Sequence, residues 1–518
     1  MDSPVTNLED LVRAVASVSP QLADAWETTA IIESLGYTDG RIADELGFAN
    51  ALALGQYIYK RLSAEVPTTP TSLPVPLRWE QRMLAELRCF IEQFSRSFIY
   101  ALPWIATFLF EYAQPQHTTL VLPPELAAPL SLAVMASLIT SGGFIQVIAR
   151  RGLFYINLGE EALSRRVCAQ FLRLGLATTI LIGFIGLLFG FYRALFADEH
   201  LIAAAIYYLI LSLLWMICAV LSIQKHAWRI PVVFLSGGVG FIILRAGLDL
   251  SALMAQLGAA LLTLALAILL AILGFRTVPR GNRALSDDME MPRLPALFYS
   301  LIPYFVYGTA YFSFLFADRL MAGVAVNPVT GLSFAVDAQY KRGMDLALLN
   351  FLLIAAIAEY LNYQFMHYWY NRATHTITAD TTTLARQLRH RYFLFVMIII
   401  ILFTLCAVVL AYQLGVWQQT IANAAARTAL IGSLGYLMLS VGLFNAMVLF
   451  SLSRPIPTLV ALLPALMLNL MVGYSLSHMF GVHNAAVGLA LGAAVFVLLS
   501  GRSVLQALQR PDYAYYAA

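Results

Sequence analysis

The chain has 518 residues, of which 60% are hydrophobic and 12% are charged, and its net charge is +3. An average soluble domain carries about twice that share of charged residues. The buried fraction of a soluble protein grows slowly with chain length, so a globular core cannot absorb this much apolar surface. The composition excludes an ordinary soluble protein and predicts that much of the surface faces lipid.

Residues 1–65 differ from the rest of the chain. They hold ten acidic and four basic residues, and apolar side chains recur at helical spacing, with Gly36 and Gly40 as breaks between short helices. We predict a small, acidic, helical cytosolic domain. The stretch 36–47 has the rhythm of a helix-turn-helix, but nucleic-acid binding requires positive charge. A protein-docking module or a structural cap fits the charge, and nucleic acid is not expected as a partner.

Residues 66–96 form the connection to the membrane region. The first part, 66–76, holds four prolines and predicts an extended linker. The second part alternates Arg and Glu with apolar residues, which is typical of an amphipathic helix at the membrane surface. No basic segment followed by an apolar run stands at the N-terminus, so a cleavable signal peptide is not expected.

About twelve apolar segments follow, each near the length of about 20 residues that spans a bilayer. We place them at 97–114, 126–148, 170–192, 201–223, 231–248, 252–274, 294–316, 345–368, 392–413, 428–451, 457–476 and 484–501. Arginine concentrates in alternate loops, among them those around 150–166 and 276–293. This bias predicts a multi-pass protein of the bacterial inner membrane with both termini in the cytosol.

Two pairs of similar sequence segments suggest an internal duplication. Pro103 in the first span and Pro303 in the seventh lie 200 residues apart in similar surroundings, and Pro231 and Pro457 form a second pair. The fold class predicted is therefore an all-α polytopic membrane protein of two six-helix bundles plus the helical head. The bundles are expected at 97–275 and 294–501, with a cytosolic loop at 276–293 and a cytosolic tail at 502–518.

Motifs for enzymatic chemistry are missing from the sequence. It contains no Gly-rich phosphate loop, no His-Glu-x-x-His and no Gly-x-Ser-x-Gly. The eight histidines and four cysteines lack metal-ligand or disulfide spacing. We therefore expect no catalytic residues, no metal and no cofactor.

Ionisable residues inside predicted spans are costly and require a partner or a function. Glu359 lies near the middle of span eight, and Tyr360, Tyr363 and His367 follow it at helical spacing. This stripe is interpreted as a cavity wall whose carboxylate binds a cation or proton. An ion pair or hydrogen bond that only stabilises the bundle is the alternative.

Further candidates lie in spans five and seven. Tyr304, Tyr307 and Tyr311 recur at i, i+3 and i+7, which suits stacking on sugar rings but also suits ordinary helix packing. Arg245 lies near the outer end of span five, where it either extends to water or contacts an anion. Asp318 and Arg319 close span seven, and adjacent helical residues are expected to serve different partners.

Several stretches together carry a family resemblance, and they are Leu102-Pro103-Trp104, Ser141-Gly142-Gly143 with Gln146 and Arg150-Arg151, Tyr307-Gly308 with Asp318-Arg319, and Glu359-Tyr360 with His367-Tyr368-Trp369-Tyr370. Over roughly residues 95–505 the chain resembles the multidrug/oligosaccharidyl-lipid/polysaccharide flippase superfamily, and within it the Pel-type exopolysaccharide exporters. The acidic head departs from the short N-termini of that family.

The resemblance implies two bundles that move glycan outward by alternating access, with H⁺ or Na⁺ as coupling ion instead of ATP. Asp318, Arg319 and Glu359 match an Asp and a basic residue that close span seven and a Glu in span eight of such exporters. The expected partners are a glycan or lipid-linked glycan, membrane lipids and a glycosyltransferase or other cytosolic protein bound through residues 1–65. The alternatives are a multidrug or small-cation antiporter of the same fold and a non-transporting subunit of a polysaccharide synthase.

Overall fold

The structure is a computed structural model. It describes residues 8–18, 25–65, 83–84, 86–91, 94, 124–224, 228–276, 294–327, 331–375, 381–413 and 424–511. The chain divides into two compact units, Met1–Leu87 and Arg88–Ala518. The head and the membrane unit are therefore described separately.

Four short helices build the head. They are α1 (Leu8–Val18), α2 (Ala25–Ser34), α3 (Asp39–Leu46) and α4 (Ala51–Glu65). Their apolar faces meet in one small core that includes Leu11, Ile32 and Leu54. Gly36 has a φ of 88° and makes the turn after α2 as predicted, whereas Gly40 lies inside α3 and breaks nothing.

Two polar contacts tie the head helices together. Asp39 Oδ1 accepts a hydrogen bond of 2.7 Å from the backbone N–H of Ala51, which joins the starts of α3 and α4. Arg61 on α4 donates to Glu9 on α1 at 2.9 Å. The hydrogen bond and positive charge of Arg61 lower the pKa of the Glu9 carboxyl.

The membrane unit contains two hydrophobic cores, one centred on each bundle, and the helices Pro124–Asn157 and Leu294–Gly323 contribute side chains to both. The helices of the N-terminal bundle are α5 (Pro124–Asn157), α6 (Glu161–Arg193), α7 (Asp198–Ile223), α8 (Arg229–Ile242) and α9 (Ala252–Arg276). A π-helical turn, Ile243–Gly247, extends α8.

The C-terminal bundle is longer and includes the β-structure of the described chain. Its helices are α10 (Leu294–Gly323), α11 (Ala338–His375), α12 (Thr381–Gln413), α13 (Ala424–Ser451), α14 (Pro455–Phe480) and α15 (Ala485–Ala507). A short 3₁₀ turn, Val482–Asn484, precedes α15. Between α10 and α11, strands β1 (Val324–Asn327) and β2 (Gly331–Phe334) pair antiparallel, with Val324 opposite Phe334. The spans predicted at 294–316 and 345–368 leave this stretch outside the membrane segments, and the structure forms a hairpin within it.

Eleven helices of the described residues are long and apolar enough to cross a membrane. Each coincides with a span predicted from the sequence, because the thickness of the hydrocarbon layer dictates the length of an apolar run. The prediction of an all-helical two-bundle membrane fold is confirmed. The span expected at 97–114, the Pro-rich linker at 66–76 and the loop at 277–293 lie outside the described residues.

The helices extend beyond the spans that hydropathy marks. α5 continues to Asn157 and α6 begins at Glu161. Arg150, Arg151 and the pair at 165–166, expected in a loop, lie on these helical extensions instead. A helix keeps its hydrogen bonds outside the hydrocarbon layer, so the end of an apolar run does not mark the end of a helix.

The two bundles touch where α5 crosses α10. Gly142 and Gly308 face each other so closely that a methyl group on Gly142 would stand 2.8 Å from the Gly308 carbonyl oxygen. Glycine pairs allow such approaches between membrane helices. Further along α5, Arg150 Nη2 donates to Ser453 Oγ at 3.3 Å.

Candidate functional site

The α11 stripe predicted from the sequence forms on one exposed side of the helix. Glu359, Tyr363, His367 and Tyr370 are all exposed. The rings of Tyr363 and His367 are nearly parallel, with centroids 6.1 Å apart. This spacing follows from the i, i+4 and i+7 geometry of an α-helix, which places such residues above one another.

A cavity of about 340 Å³ opens beside the stripe. It is lined by Tyr363, Met366, His367, Trp369, Tyr370, Ser451 and Leu452. The two last residues belong to the end of α13 and the turn that follows it, so the cavity lies between α11 and that turn. Trp369 forms its base, since its side chain is only 1% exposed. The cavity is therefore lined by the rings of Tyr363, Trp369 and Tyr370, and Trp369 also belongs to the core of the C-terminal bundle.

Polar groups surround the cavity. Asn362 Nδ2 donates to Ser451 Oγ at 3.3 Å and so connects α11 with α13. The His367 ring nitrogen Nε2 lies 3.0 Å from Asn371 Nδ2. Hydroxyl, amide and imidazole groups thus stand at the rim of an aromatic surface, which is an arrangement that suits a ligand with hydroxyl groups and apolar C–H faces.

Glu359 and Tyr360 stand apart from this cavity. Glu359 precedes Tyr363 by one turn on the same side of α11 but is not among the residues that line the cavity. The Tyr360 ring meets the Phe90 ring edge-on at 4.9 Å, and its hydroxyl accepts a hydrogen bond of 3.0 Å from Gln364. Tyr360 therefore anchors the segment that precedes the first span.

The three tyrosines of α10 form the expected stripe but are not equally accessible. Tyr307 is 3% exposed and packs edge-on against Phe450 of α13 at 4.6 Å. Tyr311 stacks on Tyr307 at 5.8 Å. Tyr304 is half-buried and carries the Arg150 guanidinium 5.3 Å above its ring. The Tyr307 ring therefore belongs to the bundle core, while Tyr304 lies at the contact between the bundles.

Asp318 and Arg319 serve different partners, as their adjacency predicts. Oδ2 of Asp318 accepts a hydrogen bond of 2.8 Å from the Tyr340 hydroxyl. Arg319 Nη2 donates to Asp345 Oδ1 at 2.8 Å, and Lys341 Nζ lies 3.6 Å from the other oxygen of Asp345. Two carboxylates and two cations thus form one network between α10 and α11, and their formal charges cancel.

Three buried polar atoms in and beside this network have no hydrogen-bond partner within the described residues. They are Asp318 Oδ1, Arg319 Nε and the hydroxyl of Tyr436. The side chains of Asp318 and Tyr436 are both 0% exposed. Unsatisfied polar atoms in a low-dielectric interior cost free energy unless a proton, water or ion satisfies them.

Sequence reasoning missed four members of the network, which are Tyr340, Lys341, Asp345 and Tyr436. Asp345 is the first residue of the span predicted at 345–368, so its position at a membrane boundary was a usable signal. No comparable signal marks Tyr340 and Tyr436, since tyrosines are common at membrane boundaries.

Arg245 belongs neither to the α11 stripe nor to the charged network between α10 and α11. It lies in the π-helical turn after α8, in the N-terminal bundle, where its Nη1 donates to the Leu250 carbonyl at 2.7 Å. This bond closes the turn into α9, which is a structural role. Within the described residues, no group of three or more His, Cys, Asp and Glu side chains is placed to hold a metal ion.

The membrane unit has the fold of known transporters. It is similar to a mutant of the Vibrio cholerae MATE transporter VcmN (TM-score 0.55, 13% identity, covering 84% of this chain and 100% of that one). The bent form of VcmN gives a TM-score of 0.53 at 12% identity, with the same coverage. A structure described as the inward-facing conformation of a multidrug resistance MATE family transporter of the MOP superfamily gives 0.51 at 15% identity, over 80% of this chain and 95% of that one. No family model and no curated protein matches the sequence.

Proposed function

We propose that this chain is a transporter that moves a polysaccharide or lipid-linked oligosaccharide across the bacterial inner membrane by alternating access. The observation that carries the proposal is the aromatic cavity of about 340 Å³ between α11 and the end of α13. A two-bundle fold with an exposed aromatic and polar stripe on one helix supplies a surface on which a sugar chain can stack. Such a transporter moves its substrate across the membrane without making or breaking covalent bonds.

The chemistry of the cavity favours a sugar. Tyr363 and Tyr370 expose flat rings that can pack against the C–H faces of a pyranose. His367 and Asn371 supply polar atoms for its hydroxyl groups. Glu359 lies outside the cavity, and the described residues that line it include no Asp, Glu, Lys or Arg. The cavity therefore suits an uncharged ligand better than an ionic one.

The buried network on α10 and α11 is proposed as the coupling site. Asp318 is fully buried, and its Oδ1 has no hydrogen-bond partner in the part of the chain that the structure describes. Uptake of H⁺ or Na⁺ at that oxygen changes the charge balance with Arg319 and Asp345. Because both helices contribute to the network, such a change can alter how α10 and α11 pack. An ion gradient would then drive the cycle.

Reconstituted vesicles test the proposal. Proteoliposomes loaded with a lipid-linked oligosaccharide should show glycan movement that depends on an ion gradient. Tyr363→Ala with His367→Ala should lower the rate at least about tenfold, because two stacking surfaces are lost. Tyr299→Ala is the matched control, since Tyr299 is 82% exposed on α10 and lies outside the cavity. If Tyr299→Ala lowers the rate of glycan movement as much as the double variant does, the proposal is contradicted.

A multidrug or small-cation antiporter is the second candidate, favoured by the likeness in fold to a transporter described as a multidrug resistance protein. In that case exposed Glu359, not the tyrosines, would carry binding. Efflux of cationic dyes under a proton gradient, lost in Glu359→Gln and retained in Tyr363→Ala, would support the antiporter. Glycan movement with no dye efflux would exclude it.

The arrangement in the cell follows from the distribution of arginine. We propose that both termini are cytosolic and that the acidic head binds a glycosyltransferase or another cytosolic protein. The head holds its own small core and exposes Trp26 at 68%, as a docking module would. A third alternative, a non-transporting subunit of a synthase, is tested by the head deletion described below.

A further inference from the structure

Two hydrogen-bond donors near the end of α5 lack acceptors. Nε of Arg151 and the hydroxyl of Tyr155 are both buried and have no hydrogen-bond partner among the described residues. Tyr155 is 5% exposed. The two residues are four positions apart, so they lie on the same face of the helix, one turn from each other. Leaving two buried donors unsatisfied is costly, which points to a missing acceptor.

The Arg151 side chain is held in place although no carboxylate among the described residues forms an ion pair with it. Its guanidinium carbon lies 4.7 Å from the centre of the Phe154 ring and 4.8 Å from that of Tyr155. Contacts with two aromatic faces orient a guanidinium without consuming its hydrogen bonds. Glu160 and Glu161 begin the next helix, but within residues 124–224 neither forms an ion pair with Arg151.

The position of these residues matches the level of lipid headgroups. α5 has 34 residues and is about 50 Å long at 1.5 Å per residue, whereas the hydrocarbon layer is about 30 Å thick. Arg151 and Tyr155 lie in its last two turns, beyond the span that the sequence predicts at 126–148. Leu153, Phe154 and Leu158 are exposed around them, as expected for side chains that meet the membrane boundary.

We propose that Arg151 and Tyr155 bind a phosphate group at this boundary. Phosphate supplies the acceptors that both donors lack, and a guanidinium binds it through paired N–H groups. Further positive charge lies close by, because the Ser164 hydroxyl donates to the Gly152 carbonyl at 3.0 Å and so brings the turn of α6 that carries Arg165 and Arg166 near this site. The phosphate comes from an anionic phospholipid headgroup or from solution. This site is independent of the proposed transport.

Lipid retention on the purified full-length protein tests the site. Protein from membranes would be exchanged into phosphatidylglycerol or phosphatidylcholine nanodiscs, and the lipids that remain bound would be counted by native mass spectrometry. In parallel, inorganic phosphate would be titrated at constant ionic strength while thermal unfolding is followed. Phosphatidylglycerol retention without a phosphate effect identifies a headgroup site, and stabilisation by inorganic phosphate identifies a site for free phosphate. Either result supports the proposal.

Three variants and one control decide the outcome. Arg151→Gln should weaken retention about tenfold or more, and Tyr155→Phe, which removes only a hydroxyl, about fivefold. Arg151→Lys keeps the charge but loses the paired donors, so it should also weaken binding. Arg193→Gln removes the same charge at the far end of α6 and should bind as the wild type does.

If Arg193→Gln loses as much phosphatidylglycerol retention as Arg151→Gln, the lipid is held by general charge attraction and the proposal is overturned. Retention unchanged in both Tyr155→Phe and Arg151→Lys would also overturn it, because the unsatisfied donors would then have no role. Size-exclusion profiles and melting temperatures without ligand confirm that each variant folds. If Arg151→Gln fails to accumulate, Tyr155→Phe and Arg151→Lys still give the answer.

Discussion

The hydroxyl of Tyr340, in the first turn of α11, donates a hydrogen bond of 2.8 Å to Oδ2 of Asp318 near the end of α10. The bond joins two helices that the β1–β2 hairpin connects, and Arg319 repeats the link through Asp345. These two bonds hold the buried carboxyl of Asp318 in a site that water does not reach. They place two carboxylates and two cations together at the α10–α11 junction.

Tyr340→Phe should therefore lower the free energy of unfolding while the aromatic ring stays packed beside Asp318. The phenyl ring keeps the packing, but Asp318 loses the hydrogen bond that Tyr340 donates, at a cost of about 1–3 kcal/mol. Thermal unfolding in detergent measures the effect. Tyr363→Phe is the control, because Tyr363 is exposed and its hydroxyl makes no hydrogen bond within the described residues. An equal decrease in both variants would show that the Asp318 contact contributes little.

Glu359→Gln should fold normally and lose transport, because the amide removes a carboxylate on α11 that is interpreted, beside Asp318, as a group that binds the coupling cation or proton. Glu359 is exposed on α11, so an amide of the same shape leaves no charge buried and should change stability by less than about 0.5 kcal/mol. Membrane accumulation and glycan movement in proteoliposomes are the two measurements. A variant that fails to accumulate would show that Glu359 has a structural role instead.

Gly308→Ala should disrupt the contact between the bundles. The new methyl group would collide with the backbone of Gly142 on α5, and such overpacking costs about 1–3 kcal/mol. The melting temperature should fall. Gly238→Ala on α8 is the matched control, because no atom lies within 4 Å of the added methyl group. If Gly308→Ala melts as the control does, the helices separate at that point more easily than the structure indicates.

Deletion of residues 2–65 should leave transport intact and abolish assembly with a cytosolic partner. The deleted segment has its own core, and the chain divides into units at Leu87 and Arg88. Co-purification of the partner and proteoliposome transport are measured on the same preparations. Loss of transport with retained assembly would contradict the docking role of the head.

Much of the membrane unit is predictable because the bilayer acts on local sequence. α7, for example, was expected at 201–223 and spans Asp198–Ile223. The turn that carries Pro231 also has its counterpart at Pro457, each proline being the third residue of its helix, in α8 and α14. Proline fits the first turn of a helix, where its missing N–H is not needed. The start of each helix could therefore be predicted from its proline.

Local composition is enough to predict that the chain lies in lipid and where most of its helices run. It also identifies Glu359 and Asp318 as ionisable residues within or at the end of apolar spans. These properties depend on local composition and on the thickness of the membrane. The contacts of Tyr340 with Asp318 and of Asp345 with Arg319 depend on the tertiary structure. So do the burial of Tyr307, the exposure of Tyr363 and the cavity beside Trp369. Each of these depends on which faces of distant helices meet, and helical periodicity places a residue on a face without naming its neighbour.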